Sequence, residues 1–443
     1  MGNKNRASRT YLGDVMRKPG GGGRAVSTRL DFVLLALVMG FVIGFAVFLV
    51  MNLSTWLTQL LWNTVGGALG LWWFPLAVCT LGGILIGLWT WWSHDRVRSL
   101  EEVMGEFKET GSYRTNGVVK PVVSFLLPLV FGGSIGFEAG LTGLITSGCC
   151  WIRDQIKKAG LRFASVADVT IAASFAAIFG TPLAGIVAGV ENDPDEKNQV
   201  LGHANVDDFD MRRGVKAVLY TAAAFGAFGG IKVFSSLFGA SGGLPRFEGV
   251  EASPAQFLWV VPCLLVAYVM ALAFHGSSRL FQTVSRRMGE GQAGTVAKPI
   301  IVGVAMGAIA CALPYVLFPG ETQCEELMET WVTLPAFALL ATGLLKAIIT
   351  PLCINMGWVG GSFFPSIFAG VAAGYGMAAL TGADPMLMVT VTTSAFLAGV
   401  LRRPLIVLGI LFLCFPATGI VWMGIAAVIG ASLPIPRVLL EKE

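Results

Sequence analysis

The sequence predicts an all-α, polytopic integral membrane protein with many tilted and broken helices. Three observations carry that prediction. The 443 residues are 55% hydrophobic and only 13% charged, against about 25% charged in a soluble domain. Apolar stretches of spanning length recur from end to end. The charges gather between those stretches. A surface this apolar is solvated by lipid, and a spanning helix needs about 20 mostly apolar residues. Phe32–Met51, Leu69–Trp92, Gln256–Phe274, Pro299–Phe318, Trp331–Met356 and Met386–Leu401 read as spans. This distribution leaves no room for a separate soluble domain.

Taken in order, residues 1–30 form a basic arm with seven cationic side chains and one acid, Asp14. Basic flanks stay cytoplasmic, so the N-terminus is expected inside a cell membrane (plasma or inner), and the arm is read as a topology signal with no nucleic-acid partner. The first apolar run starts too late and is too long for a cleavable signal. A first membrane repeat is expected over 31–190, a polar connecting loop over 191–214 and a second repeat over 215–443, with no C-terminal soluble domain. Trp72, Trp73, Trp89, Trp91 and Trp92 read as interfacial aromatics. Seven of the eight cysteines lie in apolar stretches, Cys324 lies in a polar loop, and none makes a Cys-x-x-Cys pair. They read as small packing residues. His94, His203 and His275 have no metal-ligand spacing, so neither metal nor cofactor is expected.

The two halves share an order of motifs. Gly132-Gly133-Ser134-Ile135-Gly136-Phe137-Glu138-Ala139-Gly140 in the first half answers to Gly360-Gly361-Ser362-Phe363-Phe364-Pro365 in the second. Ala176 through Leu183, containing Gly180-Thr181-Pro182, answers to Ala398 through Leu405, containing Arg402-Arg403-Pro404. Gly136 precedes Pro182 by 46 positions and Gly361 precedes Pro404 by 43. This spacing predicts an internal repeat; in transporters such repeats are often inverted, with the substrate site at their interface.

Glu138 is the only charge between Pro121 and Ile152. A carboxylate at that depth is costly, rare and usually functional. Its neighbouring glycines interrupt the helix and admit backbone close to a ligand. Irregular backbone survives there only where protein covers it or it lines a cavity. Pro365 fits the first turn of a helix. Two broken-helix starts facing each other would aim N–H groups and positive dipole ends at a small anion without a full positive charge. A cation would instead require acidic or carbonyl oxygens.

Gly136-Phe137-Glu138-Ala139-Gly140 resembles the Gly-Lys/Arg-Glu-Gly-Pro motif of the CLC chloride channels and proton-coupled chloride transporters. Gly361-Ser362-Phe363-Phe364-Pro365 matches that family's Gly-x-Phe-x-Pro motif. Thr181–Glu191 and Lys346–Gly361 resemble two further blocks, in the right order. The resemblance implies two inverted-topology repeats and a homodimer with one pathway per subunit. It implies a gating and proton-carrying role for Glu138. It also implies anion contacts from the backbone amides of Phe137, Ala139, Ser362, Phe363 and Phe364.

The inner half of the pathway departs from the family pattern. No Gly-Ser-Gly-Ile-Pro motif is present, and its counterpart falls near Ser93-His94-Asp95-Arg96. The pore tyrosine aligns near Ile435. The internal proton-transfer glutamate aligns with Asn192, beside Glu191. Lys346, Arg402 and Arg403 stand alone within long uncharged stretches, where they can attract anions, snorkel to an interface or pair internally.

The function expected is transmembrane movement of chloride or a similar small anion, by proton-coupled exchange gated at Glu138. A passive channel is the alternative, favoured by the loss of the inner glutamate. A non-transporting sensor or a membrane-embedded enzyme represents the other classes. An enzyme would need a nucleophile–base pair or metal ligands at depth; His275 is the one histidine in an apolar segment that could partner Glu138, and no His-Glu-x-x-His motif is present.

Overall fold

The computed structural model describes residues 29–93, 119–141, 143, 166–191, 213–238, 245–251, 253–412, 414–415, 417–436 and 438–439. Apart from one two-residue bridge, its regular structure is helical. The helices, in order, are α1 (Arg29–Gln59), α2 (Phe74–Ser93), α3 (Val119–Val130), α4 (Val166–Phe179), α5 (Pro182–Glu191), α6 (Arg213–Phe238) and α7 (Val260–Met288). There follow α8 (Gln292–Ala310), α9 (Glu321–Thr330), α10 (Ala336–Asn355), α11 (Phe363–Thr381), α12 (Pro385–Leu401), α13 (Pro404–Leu411) and α14 (Ile420–Ser432).

Among the described residues, seven helices are long and apolar enough to cross a membrane. Several differ from the spans expected. α1 continues through a π-helical stretch, Leu60–Gly66, to Leu69, because no breaker interrupts it before Gly70 takes a left-handed φ of 60°. The second span begins at Phe74, after that break. The stretch at Pro299–Phe318 divides at Ala310, ahead of Pro314. Trp331–Met356 divides at Pro335, with α10 on its far side. α6 and α11 also have spanning length; their glycine and alanine lower the apolar signal that marked the other spans.

Small residues set how closely these helices approach. Gly40 and Gly44 of α1 rest on the Ala223 and Ala227 carbonyls of α6, and Gly226 and Gly230 of α6 rest on Leu37 and Phe41. Gly83 of α2 meets Pro299 of α8, and Gly303 of α8 meets Cys79. A side chain at any of these positions would collide with backbone. In lipid, where apolar burial between helices gains little, such close packing is the main adhesive. α11 and α12 form the centre and are buried along almost their whole length.

The paired motif blocks recur as paired structures. Gly180 has φ 62° and Arg402 φ 58°; in each case α5 or α13 starts two residues later, at Pro182 or Pro404. These two helices touch, with Thr181 Oγ1 donating to the Gly409 carbonyl at 3.4 Å. The six described cysteines are free thiols. Cys324, expected in a polar loop, lies buried on α9 against the core.

Candidate functional site

The two glycine loops meet. Gly136 N–H donates to the Gly361 carbonyl at 2.7 Å, and Gly361 N–H donates back to Gly136 at 3.0 Å. This antiparallel bridge joins the two halves at the motif positions themselves. A second tie lies beside it: the buried hydroxyls of Ser134 and Thr350 are 3.2 Å apart.

Glu138 lies across this junction, 2% exposed. Its Oε1 accepts from Phe363 N–H at 2.5 Å. Phe363 is the first residue of α11, and the N-cap, Ser362, makes no side-chain cap bond of its own. The first turn of a helix has N–H groups without intrahelical acceptors. A carboxylate from the other half of the chain therefore caps α11. Glycine makes this possible, since a Cβ at Gly136 or at Gly361 would overlap the Glu138 side chain.

Five phenylalanines pack against one another around the residues of the loop junction. Phe137 meets Phe125 and Phe364 edge-on, with centroids 6.4 and 5.9 Å apart. Phe179 stacks on Phe364 at 5.3 Å and meets Phe363 edge-on at 5.4 Å. Among these rings the Phe363 N–H is a polar group that the carboxylate engages. Moving a carboxylate from water into such a site costs several kcal/mol. A charge-assisted hydrogen bond returns about 1.5–3 kcal/mol, and a helix N-terminus up to about 2 kcal/mol. The gains roughly match the cost, so the capped arrangement is one that protonation or a competing anion can undo.

Lys346 is fully buried and solves a different problem. Its Nζ donates to the carbonyls of Leu317 and Phe318 at 2.8 Å each, and to those of Tyr315 and Val316 at 3.3 and 3.4 Å. It also lies 4.8 Å from the centroid of Phe368. The ammonium is thus tied to the loop after α8. That loop holds the first motif, because Phe318 N–H donates to the Gly132 carbonyl at 3.1 Å. Arg402 likewise pairs internally: Nη1 donates to the Ala431 and Leu433 carbonyls at 2.7 and 2.6 Å, closing the end of α14. The sequence left both cations open among three roles. Pairing is what the fold makes of them.

The expected site residues divide into two groups. Phe137, Glu138, Ala139, Ser362, Phe363 and Phe364 come together at the loop junction. Ile435 is buried, 7% exposed, just past the end of α14. Glu191 ends α5. His94 and Asn192 fall outside the described residues. Sequence reading missed Phe125 and Phe179 as walls. Phe179 was signalled by its place immediately before Gly180-Thr181-Pro182, whereas Phe125 carried no signal beyond hydrophobicity.

The class defined by this fold and site is a multi-pass α-helical membrane protein whose two halves meet at a buried carboxylate on a helix N-terminus. A family model described as voltage gated chloride channel matches residues 82–434. The chain belongs to that family, the CLC family. It is 24% identical over 371 residues to chloride channel protein CLC-e of Arabidopsis thaliana, covering 77% of this chain and 49% of the relative; the chain thus spans about half that relative's length. Among solved structures it resembles a CLC-type fluoride/proton antiporter, with TM-score 0.67, 18% identity, and coverage of 91% of this chain and 94% of the other. It also resembles a slow cyanobacterial chloride/proton antiporter, with TM-score 0.66, 17% identity, and coverage of 92% and 94%.

Proposed function

We propose that this chain carries chloride or a similar small anion across a membrane in exchange for protons, with Glu138 as gate and proton carrier. One observation carries the reading: the Glu138 carboxylate sits on Phe363 N–H at the start of α11. A carboxylate oxygen that caps a helix stands in for an anion, because the same N–H groups and dipole end that hold it would hold a halide. Charged, Glu138 fills the position and closes it. Protonated, it loses its claim on the N–H, the side chain swings out and the anion takes its place. Phe137, Ala139, Ser362 and Phe364 supply the remaining backbone amides. The solved neighbours named as antiporters support the exchange mechanism, and the retained acid supports it too.

On the inner side, Ile435 offers hydrocarbon where the family pattern has a hydroxyl. An anion passing it would rely on backbone donors, with Glu191, Asn192 and His94 as the candidate polar groups beyond. The protein is proposed to act as a homodimer in the cell membrane with its N-terminus cytoplasmic.

Purified protein in chloride-loaded vesicles tests this reading. As chloride runs out down its own gradient, wild type is expected to draw protons inward and acidify the lumen, even against a proton gradient. Glu138→Gln is expected to pass anions without moving protons. Anion flux in wild type without proton movement selects the passive channel, and absence of flux in both proteins rejects transport. Repeating the assay with fluoride identifies the preferred anion.

A further inference from the structure

Where α2 meets α3, the surface carries an apolar groove of about 370 Å³, lined by Leu85, Leu88, Trp89, Trp92, Val123 and Leu127. Its walls are fixed. Trp89 Nε1 donates to Ser124 Oγ at 2.9 Å, which pins one indole to α3. Trp92, 66% exposed, packs against it with centroids 5.4 Å apart. One end of the groove lies near Ser93, where the sequence turns polar, so the two indoles stand where an interfacial belt belongs.

Beside Trp92 stands a cation. Lys120 Nζ is 5.8 Å from the Trp92 ring centroid and donates to the Ser93 carbonyl at 3.5 Å. The lysine is exposed, and among the described residues no carboxylate pairs with it. Among the described residues no ion pair accounts for Lys120 there. An anionic group at the end of the groove does.

We propose that the groove binds one acyl chain of an anionic phospholipid, whose phosphate rests on Lys120 beside Trp92. The groove's apolar lining matches the chain, and Lys120, without a carboxylate partner among the described residues, matches the headgroup. Lys232 on α6 makes a useful contrast, because it also lies over a ring, 5.6 Å from Phe228, on a different helix.

The test is lipid retention by the full chain. Protein extracted from vesicles holding equal phosphatidylglycerol and phosphatidylcholine with identical acyl chains is examined by native mass spectrometry. Wild type is expected to retain phosphatidylglycerol in preference. Lys120→Gln should cut that retention about fivefold, the effect of one basic side chain near an anionic surface, and leave phosphatidylcholine unchanged. Val123→Trp, which fills the groove, should reduce both lipids, and Lys232→Gln should change neither. Equal retention of the two lipids by wild type, or full phosphatidylglycerol retention by Lys120→Gln, overturns the proposal.

Discussion

Replacing Gly361 with alanine puts a methyl group into the volume now held by Glu138. The three atoms nearest that methyl are Cδ, Oε1 and Cγ of Glu138, all overlapping it. Gly361 is absent from the positive-φ glycines, so its backbone accepts alanine. The strain therefore falls on the carboxylate, which must leave Phe363 N–H. The lost charge-assisted hydrogen bond is worth about 1.5–3 kcal/mol, a shift of about tenfold to hundredfold toward the uncapped arrangement. In a chloride efflux assay from vesicles, Gly361→Ala should raise flux at pH 7.5 and flatten its rise between pH 7.5 and pH 4.5. Glu138→Ala should do the same by a different route. Combining the two should add nothing, since both act on one contact and such pairs are non-additive. Additive effects in the double variant, or wild-type flux and pH dependence in Gly361→Ala, would refute the reasoning.

Other outcomes follow from the geometry around this junction. Lys346→Met leaves four carbonyls without their shared donor and frees Phe318 to leave its left-handed φ of 63°; a loss of at least about 2 kcal/mol is expected, read as a lower melting temperature, and unchanged melting would sink this account. Burial, then the charges of Glu138 and Glu325, push the Glu321 carboxyl up to about 8 from a usual 4.5. The folded chain then keeps a proton that the unfolded chain releases, so this group's contribution to stability falls as pH rises from 4.5 to 8. Glu321→Gln should raise the melting temperature at pH 8.5 and leave it unchanged near pH 4; an equal shift at both values contradicts the assignment. Arg402→Ala loses two carbonyl contacts and keeps a left-handed backbone, so it should cost more than Arg402→Gly by about 1 kcal/mol, measured by thermal unfolding in detergent.

What the sequence could disclose followed from chemistry that cannot hide in an apolar chain. A lone carboxylate and two glycine breaks stand out against leucine and valine, and they marked the junction of Gly136, Glu138 and Gly361 before any coordinates. The matched blocks around Pro182 and Pro404 were legible as a repeat, but the left-handed backbone of Gly180 and Arg402 was not. Lys346 was visible but its purpose was not, because its partners are main-chain carbonyls, which have no sequence signature. The same is true of Arg402 and the end of α14. α6 and α11 escaped as spans because glycine and alanine, which let helices approach closely, also dilute hydropathy. The inner pathway was the hardest part to read, since the family's usual residues are replaced around residues 93–96, Asn192 and Ile435.

The bond between Glu138 and Phe363 spans 225 positions of chain. At about 5–20 residues per second, a ribosome finishing the second motif trails the first by on the order of ten to fifty seconds. During that interval the first half can be in the bilayer, but its glutamate has no helix to cap and Gly136 has no partner strand. The pathway comes into existence only when the late half docks, and it does so with Glu138 already seated on the new N-terminus. With Glu138 in its proposed gating role, formation and closure of the pathway are one event, and a nascent chain has little opportunity to leak.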